Sequence, residues 1–280
     1  MSIIELREGC LINDKDKKEF ITSNRLEFSK YASFYDDHAI LQASSGDCLL
    51  SELKEYINKN NDFKFNKVID LGSGTGANCN KLFELTNCTE IFEIDHSNKM
   101  LEISKAKNSL KNRLFCCADM HNLPFSKKFK ADLIFSNLSF QWCLDLKKLF
   151  VESSDFLNKN GVMAFSTILD GSLSEISRNF SINNFLTKEE FCSQVSNISG
   201  LSLYDFKFKK IICKFDSLFD LFASVKKVGA SFVMPKSKTK FNSGLVTPSR
   251  IYRLEKDWPK DMSGKLELTY NIGIFIYEKK

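Results

Sequence analysis

The sequence predicts an α/β fold with a mostly parallel sheet, and three observations predict it. Short apolar runs of strand length recur along the chain, as in KVIDL (67–71), EIFEID (90–95) and ADLIFSN (131–137). Segments of helical character separate them, which is the rhythm of βαβ units. The first run enters a glycine turn, VIDLGSGTG (68–76), at a strand-to-helix junction. Right-handed crossovers then line such turns along one edge of the sheet.

Residues 1–22 show no clear period and read as a loose terminus. Residues 25–58 read as two helices, with Leu41, Leu49, Leu50, Leu53 and Ile57 near helical spacing. The strand at 67–71 leads into a helix at 78–86, and the strand at 90–95 into a helix at 97–110 capped by Ser97. RLFCCAD (113–119) and ADLIFSN (131–137) are strands, LDLKKLFVESSDFLNKNG (144–161) is a helix stopped by Asn-Gly, and VMAFSTI (162–168) is the fifth strand. Beyond residue 169 the rhythm breaks. Residues 170–200 and 216–263 look helical and loop-rich, while 203–215 and 268–279 are strand-like and finish the sheet, the last at an edge or inserted antiparallel. The expected organisation is a helical lid over 1–60, a ligand-binding core over 61–169, and a cap with the last strands of the same domain over 170–280.

Composition sets bounds on function. With 280 residues, 43% hydrophobic and 27% charged, the chain can bury a core. Its 26 phenylalanines, and lysines well in excess of arginines, read first as compositional bias of the genome. A net charge of +5 is mild, and no basic block interleaved with aromatics indicates nucleic acid. The nine cysteines form no CxxC pair, and three histidines allow no zinc spacing, so reduced thiols and no metal are expected. No signal-peptide core and no run of about 18 apolar residues appears, so a cytoplasmic protein without a membrane partner is expected.

The turn Asp70-Leu71-Gly72-Ser73-Gly74-Thr75-Gly76 could hold a phosphate, a dinucleotide or another nucleotide. No Lys-Ser/Thr follows, which argues against a P-loop. Asp70 precedes the first glycine, where a carboxylate repels pyrophosphate and attracts an ammonium group. Asp95 ends the second strand, 19 residues past Gly76, the place for an acceptor of ribose hydroxyls. Ribose and ammonium without phosphate describe S-adenosylmethionine.

VIDLGSGTG, EIDHSNKML and CADMHNLPF resemble the first three motifs of the class I S-adenosylmethionine-dependent methyltransferases. The resemblance implies a Rossmann-like, seven-stranded sheet with helices on both faces. It sets Gly72 and Gly74 against the methionine part, Asp95 on the ribose, Asp119 on the adenine amino group and Met120 beside the ring, with Asp70 and Gly76 also in the cofactor site. Asp119 taken alone reads equally as a surface acid beside a turn. FSNLSFQWCLDL (135–146), FSKYASFYDDHAILQ (28–42), GSLSEI (171–176), VKKVGAS (225–231) and LTYNIGIFIYEK (268–279) further resemble the malonyl-acyl-carrier-protein O-methyltransferases of biotin synthesis, from about residue 25 onward.

That resemblance implies methyl transfer from S-adenosylmethionine to the free carboxylate of a malonyl thioester, carried by acyl-carrier protein or by coenzyme A. A carboxylate with a reference pKa near ~4 needs no general base. Tyr35, in the lid, could face the sulfonium or be an amphipathic-helix tyrosine. Asn137 could reach the methionine end or the substrate. Trp142 is expected to wall the adenosine or acyl pocket, and Lys226, Arg250 and Arg253 are the candidate cations for the substrate carboxylate. The rival readings are a related enzyme acting on a protein, such as the complex I assembly arginine hydroxylase, and a non-catalytic assembly protein.

Overall fold

The computed structural model describes residues 14–60, 63–107, 110–178, 184–196, 198, 200–227 and 248–280. Its elements, in order, are α1 (Asp14–Tyr31), a 3-10 turn (Ala32–Phe34), α2 (Tyr35–His38), α3 (Ile40–Lys59), β1 (Lys67–Leu71), α4 (Cys79–Thr86), β2 (Glu90–Asp95), α5 (Asn98–Lys107), β3 (Arg113–Cys117) and β4 (Ala131–Asn137). A 3-10 turn (Phe140–Trp142), α6 (Leu146–Phe156), β5 (Leu157–Ile168), α7 (Ser174–Ser177), α8 (Lys188–Gln194), β6 (Leu201–Phe215), α9 (Leu218–Lys227), α10 (Pro248–Asp257) and β7 (Leu266–Lys279) follow.

The seven strands form one sheet in the order β3-β2-β1-β4-β5-β7-β6. β1 to β5 pair in parallel, and β7 runs antiparallel between β5 and β6. Of the two placements open for the last strand, the inserted antiparallel one is found. Burial on both faces explains the near-continuous apolar runs of the central strands. Val68, Ile69, Leu133 and Ile134 have no exposed surface, and each contributes roughly 1.5–3 kcal/mol by leaving water.

Each sheet face carries its own apolar layer. α3, α9 and α10 contribute to one, including Leu49, Leu53, Leu221 and Leu254, with Trp258 just past α10. The other holds a cluster of aromatic rings. Phe165 stacks on Phe275 with centroids 5.0 Å apart, and Phe150, Phe191 and Tyr277 close around it. Part of the phenylalanine excess therefore serves packing behind the C-terminal ends of β4 and β5.

Three local expectations need correction. The loose terminus is helical from Asp14, because Phe20 and Ile21 of α1 find an apolar wall to cover. The segment read as two helices is broken by the 3-10 turn at Ala32–Phe34, and α2 is a single turn. The helix expected to run to residue 161 ends at Phe156; the Asn-Gly lies inside β5, where Asn160 takes φ +64° and the β4 register shifts.

Candidate active site

The candidate residues gather at the C-terminal ends of β1 to β4, where an open parallel sheet leaves its crevice. β1 ends at Leu71, and the N–H groups of Gly72 and Ser73 both donate to the Ile94 carbonyl, at 2.7 and 3.0 Å. That ties the turn to the end of β2. Gly72, Gly74 and Gly76 all take positive φ. A Cβ on Gly72 would overlap the Ser139 side chain, and one on Gly76 would overlap Ser104 and crowd Glu93 and Arg113. Those last two form a buried ion pair, Arg113 Nε to Glu93 Oε1 at 2.5 Å. At Gly74 nothing lies within 4 Å of the place a Cβ would take. A side chain at Gly72 or Gly76 would thus meet protein neighbours, while one at Gly74 would meet open space; Gly72 itself lines the cavity described below.

Three carboxylates face this edge. Asp70 is 2% exposed, its Oδ2 has no hydrogen-bond partner, and burial beside Glu93 and Asp95 pushes its carboxyl well above the usual range. Ser73 Oγ is likewise buried without a partner. Asp95 accepts from the Gly74 N–H at 3.0 Å and the Ser97 N–H at 2.8 Å, with His96 Nδ1 at 3.6 Å. Desolvation raises its carboxyl too, and His96 and the two backbone donors oppose that. Asp119 accepts from the His121 backbone N–H at 3.0 Å and meets His121 Nδ1 at 2.6 Å. Burial raises the Asp119 carboxyl, but the His121 hydrogen bonds outweigh burial and hold it below its ordinary value.

The lid closes over them. Phe28 on α1 has its ring centroid 5.5 Å from His96, 5.7 Å from Trp142 and 6.4 Å from Tyr35. Ser29 hydrogen-bonds Ser97 at 2.8 Å. Asp36 on α2 accepts from Thr75 Oγ1 of the glycine turn at 2.6 Å and pairs with Lys107 of α5. Tyr35 is half-buried, and its hydroxyl is pushed up by desolvation, then by Asp95 and Asp36. Beneath α1, a cavity of about 40 Å³ lies among Phe20, Ile21, Asn24, Asp95, Asp119 and Trp142. It has room for no more than a few water-sized molecules, far less than a nucleoside needs. A larger cavity of about 410 Å³ sits behind Trp142, reaching Thr167, Asp170 and Glu190.

The structure brings together Tyr35, Asp70, Gly72, Gly74, Asp95, Asp119, Met120 and Trp142 around this edge, with Gly76 behind it. Asn137 sits at the end of β4 with its amide engaged: Nδ2 donates to the Gln42 carbonyl at 2.9 Å, and Oδ1 accepts from Ser166 at 2.7 Å. Neither Lys226 nor Arg253 lines either cavity. Lys226 on α9 and Arg253 on α10 are exposed, and the Arg250 side chain lies outside the described residues, as does 228–231 of VKKVGAS. α9 does touch the lid, through Ser224 Oγ donating to the His38 carbonyl at 3.0 Å. Sequence reasoning missed Phe28, Asp36, His96 and His121. The two histidines sit one and two residues past the acids already singled out, which was the available signal.

The methyltransferase domain family matches residues 69–165, the glycine turn through β5. A malonyl-[acyl-carrier protein] O-methyltransferase of Buchnera aphidicola is 30% identical over 90% of this chain and 94% of its own length. This chain belongs to that family. A second such relative, from Coxiella burnetii, is 32% identical over 90% of this chain and 94% of its own, and a biotin biosynthesis bifunctional protein, BioHC, of Saccharophagus degradans matches at 28% over 89% of this chain. Among solved structures, YcgJ of Bacillus subtilis superposes with a TM-score of 0.59, at 14% identity, over 84% of this chain and 99% of its own. The plantazolicin methyltransferase BpumL, solved with a desmethyl substrate analogue and SAH, superposes at 0.54, with 15% identity, over 96% of this chain. Members of this family are S-adenosylmethionine-dependent methyltransferases, and this chain is one. Its residues fit that cofactor: an unpartnered buried carboxylate oxygen suits an ammonium group, and bare space over Gly74 admits a ligand.

Among the described residues no cluster of three His, Cys, Asp or Glu side chains forms a metal site, and no helix is long and apolar enough to cross a membrane. The eight described cysteines are free thiols.

Proposed function

We propose that the chain methylates the free carboxylate of a malonyl thioester, an early step of biotin synthesis, with acyl-carrier protein as the natural carrier and coenzyme A as a substitute for it. The observation that supports this most is likeness over 90% of the chain to relatives named for that reaction. The rival protein-directed hydroxylase has no such support. Free thiols suit a reducing cytoplasm.

S-adenosylmethionine supplies an electrophilic methyl on a sulfonium. In our reading Asp70 takes the ammonium of the amino-acid end, Gly74 lets the backbone approach it, Asp95 accepts the ribose hydroxyls, Asp119 accepts the adenine amine, and Met120 and Trp142 flank the base. Gly72 and Gly76 shape the turn. Tyr35 and Phe28 cover the site from the lid, where Tyr35 excludes water and offers a ring to positive charge, and Asn137 fixes α3 against β4. The acceptor carboxylate is ionised at neutral pH, so positioning and water exclusion carry the rate, worth roughly 7–11 kcal/mol in favourable cases. Lys226, Arg250 and Arg253 remain the proposed cations for that carboxylate, swung in from α9 and α10.

The test is direct. Purified protein, S-adenosylmethionine and malonyl-carrier, malonyl-coenzyme A or acetyl-carrier are incubated, and methyl ester is read by mass spectrometry. Ester on both malonyl thioesters and none on the acetyl one supports the reading. No ester on any malonyl thioester overturns it.

A further inference from the structure

Two histidines border the nucleoside cavity, and they are wired differently. His96 has one ring nitrogen 3.6 Å from Asp95 and the other, Nε2, buried without a partner. His121 has both nitrogens engaged. Its Nε2 accepts from the Leu144 backbone N–H at 3.0 Å, so the ring proton resides on Nδ1. Nδ1–H therefore donates to Asp119 Oδ1 at 2.6 Å, alongside the His121 backbone N–H at 3.0 Å. The neutral tautomer is set by the Leu144 bond.

The geometry points to His121 as a positioning residue for adenine recognition; this rests on the reading of Asp119 given above. Asp119 is partly exposed, at 32% of its side chain, and would otherwise sample several rotamers. Two donors converging on Oδ1 fix the carboxylate plane and leave Oδ2 as the oxygen that faces an exocyclic amine. The Leu144 bond does a second job. It ties the loop after β3, which carries Asp119 and Met120, to the loop after β4, which carries Trp142. The two walls of the base pocket then move as one unit. Trp142 also meets Phe28 of the lid at 5.7 Å, so this unit reaches α1.

Two substitutions separate the two contacts. In His121→Asn the amide nitrogen falls near the place of Nδ1, which keeps the donor to Asp119 and gives up Leu144. In His121→Gln the amide reaches the place of Nε2, which keeps an acceptor for Leu144 and gives up Asp119. The measurement is calorimetric affinity for S-adenosylhomocysteine and for S-inosylhomocysteine, in which a carbonyl replaces the adenine amine. Wild type should prefer the amine by about tenfold or more. His121→Asn should keep that ratio while both affinities fall, and His121→Gln should bring the ratio close to one. Thermal melts confirm that both variants fold. If both variants keep the wild-type ratio, or lose affinity for both ligands equally, the positioning role is wrong. If wild type itself shows no preference, the assignment of Asp119 to the adenine falls, and the role of His121 with it.

Discussion

Asp70→Asn should make the free protein more stable and bind its cofactor less well. The carboxylate lies in the interior with one oxygen unpartnered, among Glu93 and Asp95, so its ionised form is costly. Asparagine keeps the shape and removes the charge. Leaving a buried polar group unsatisfied costs roughly 1–3 kcal/mol, more when it is charged. At about 2–4 °C per kcal/mol for a chain near this size, the apo melting temperature should rise by a few degrees at pH 8. The sign follows from the direction of the shift. A carboxyl whose folded pKa is raised contributes stability below its unfolded pKa and loses that contribution as pH rises through the folded pKa. The advantage of Asp70→Asn should therefore grow from pH 4 to pH 8 and vanish at the acid end. Affinity should move the other way. A charge-assisted bond to the ammonium is worth about 1.5–3 kcal/mol, so S-adenosylhomocysteine should bind roughly 10- to 100-fold more weakly. The assays are thermal melts across pH without ligand and calorimetry with it. A variant that is less stable than wild type at pH 8, or that binds with unchanged affinity, refutes the reasoning.

The glycine turn and the lid offer sharper contrasts. Gly76→Ala should lower the melting temperature far more than Gly74→Ala, because its new methyl enters the Glu93–Arg113–Ser104 cluster, whereas Gly74→Ala pays only the left-handed backbone, about 1–2 kcal/mol, and should show its main loss in cofactor affinity. Equal melts for the two would contradict the division of roles. Tyr35→Phe should keep most of the turnover and Tyr35→Ala lose most of it, since the ring supplies the water exclusion and the face for positive charge proposed above; small, equal effects in a steady-state assay would make Tyr35 a packing residue.

The parallel core was legible because its signals are local. KVIDL and ADLIFSN are buried on both faces and read as continuous apolar runs, and ADLIFSN is β4 to the residue. Asp70, Asp95 and Asp119 stand at strand ends, so their grouping follows from topology. What stayed hidden depends on long-range contact. Nothing near residue 28 says that Phe28 meets His96 and Trp142, or near residue 36 that Asp36 grips Thr75 and Lys107. The Asn-Gly at 160–161 looks like a helix stop because the sheet bulge it serves is defined by β4, not by its neighbours in sequence. At Gly76 the sequence shows only that a glycine is needed, since a close approach by Ser104 and one by a cofactor write the same residue.

The placement of β7 bears on how the chain is made. Among the described residues β6 pairs with no strand but β7, along a ladder from Leu201 to Phe215. It leaves the ribosome about 50 residues before that partner begins, an interval of roughly 3–10 s at ordinary elongation rates. Through that interval β5 also lacks its outer neighbour, and a long strand bearing Leu203, Phe208 and Ile212 waits with its backbone groups unanswered. Lysines at 207, 209, 210 and 214 punctuate the waiting strand, and repulsion between like copies discourages nascent chains from pairing with one another.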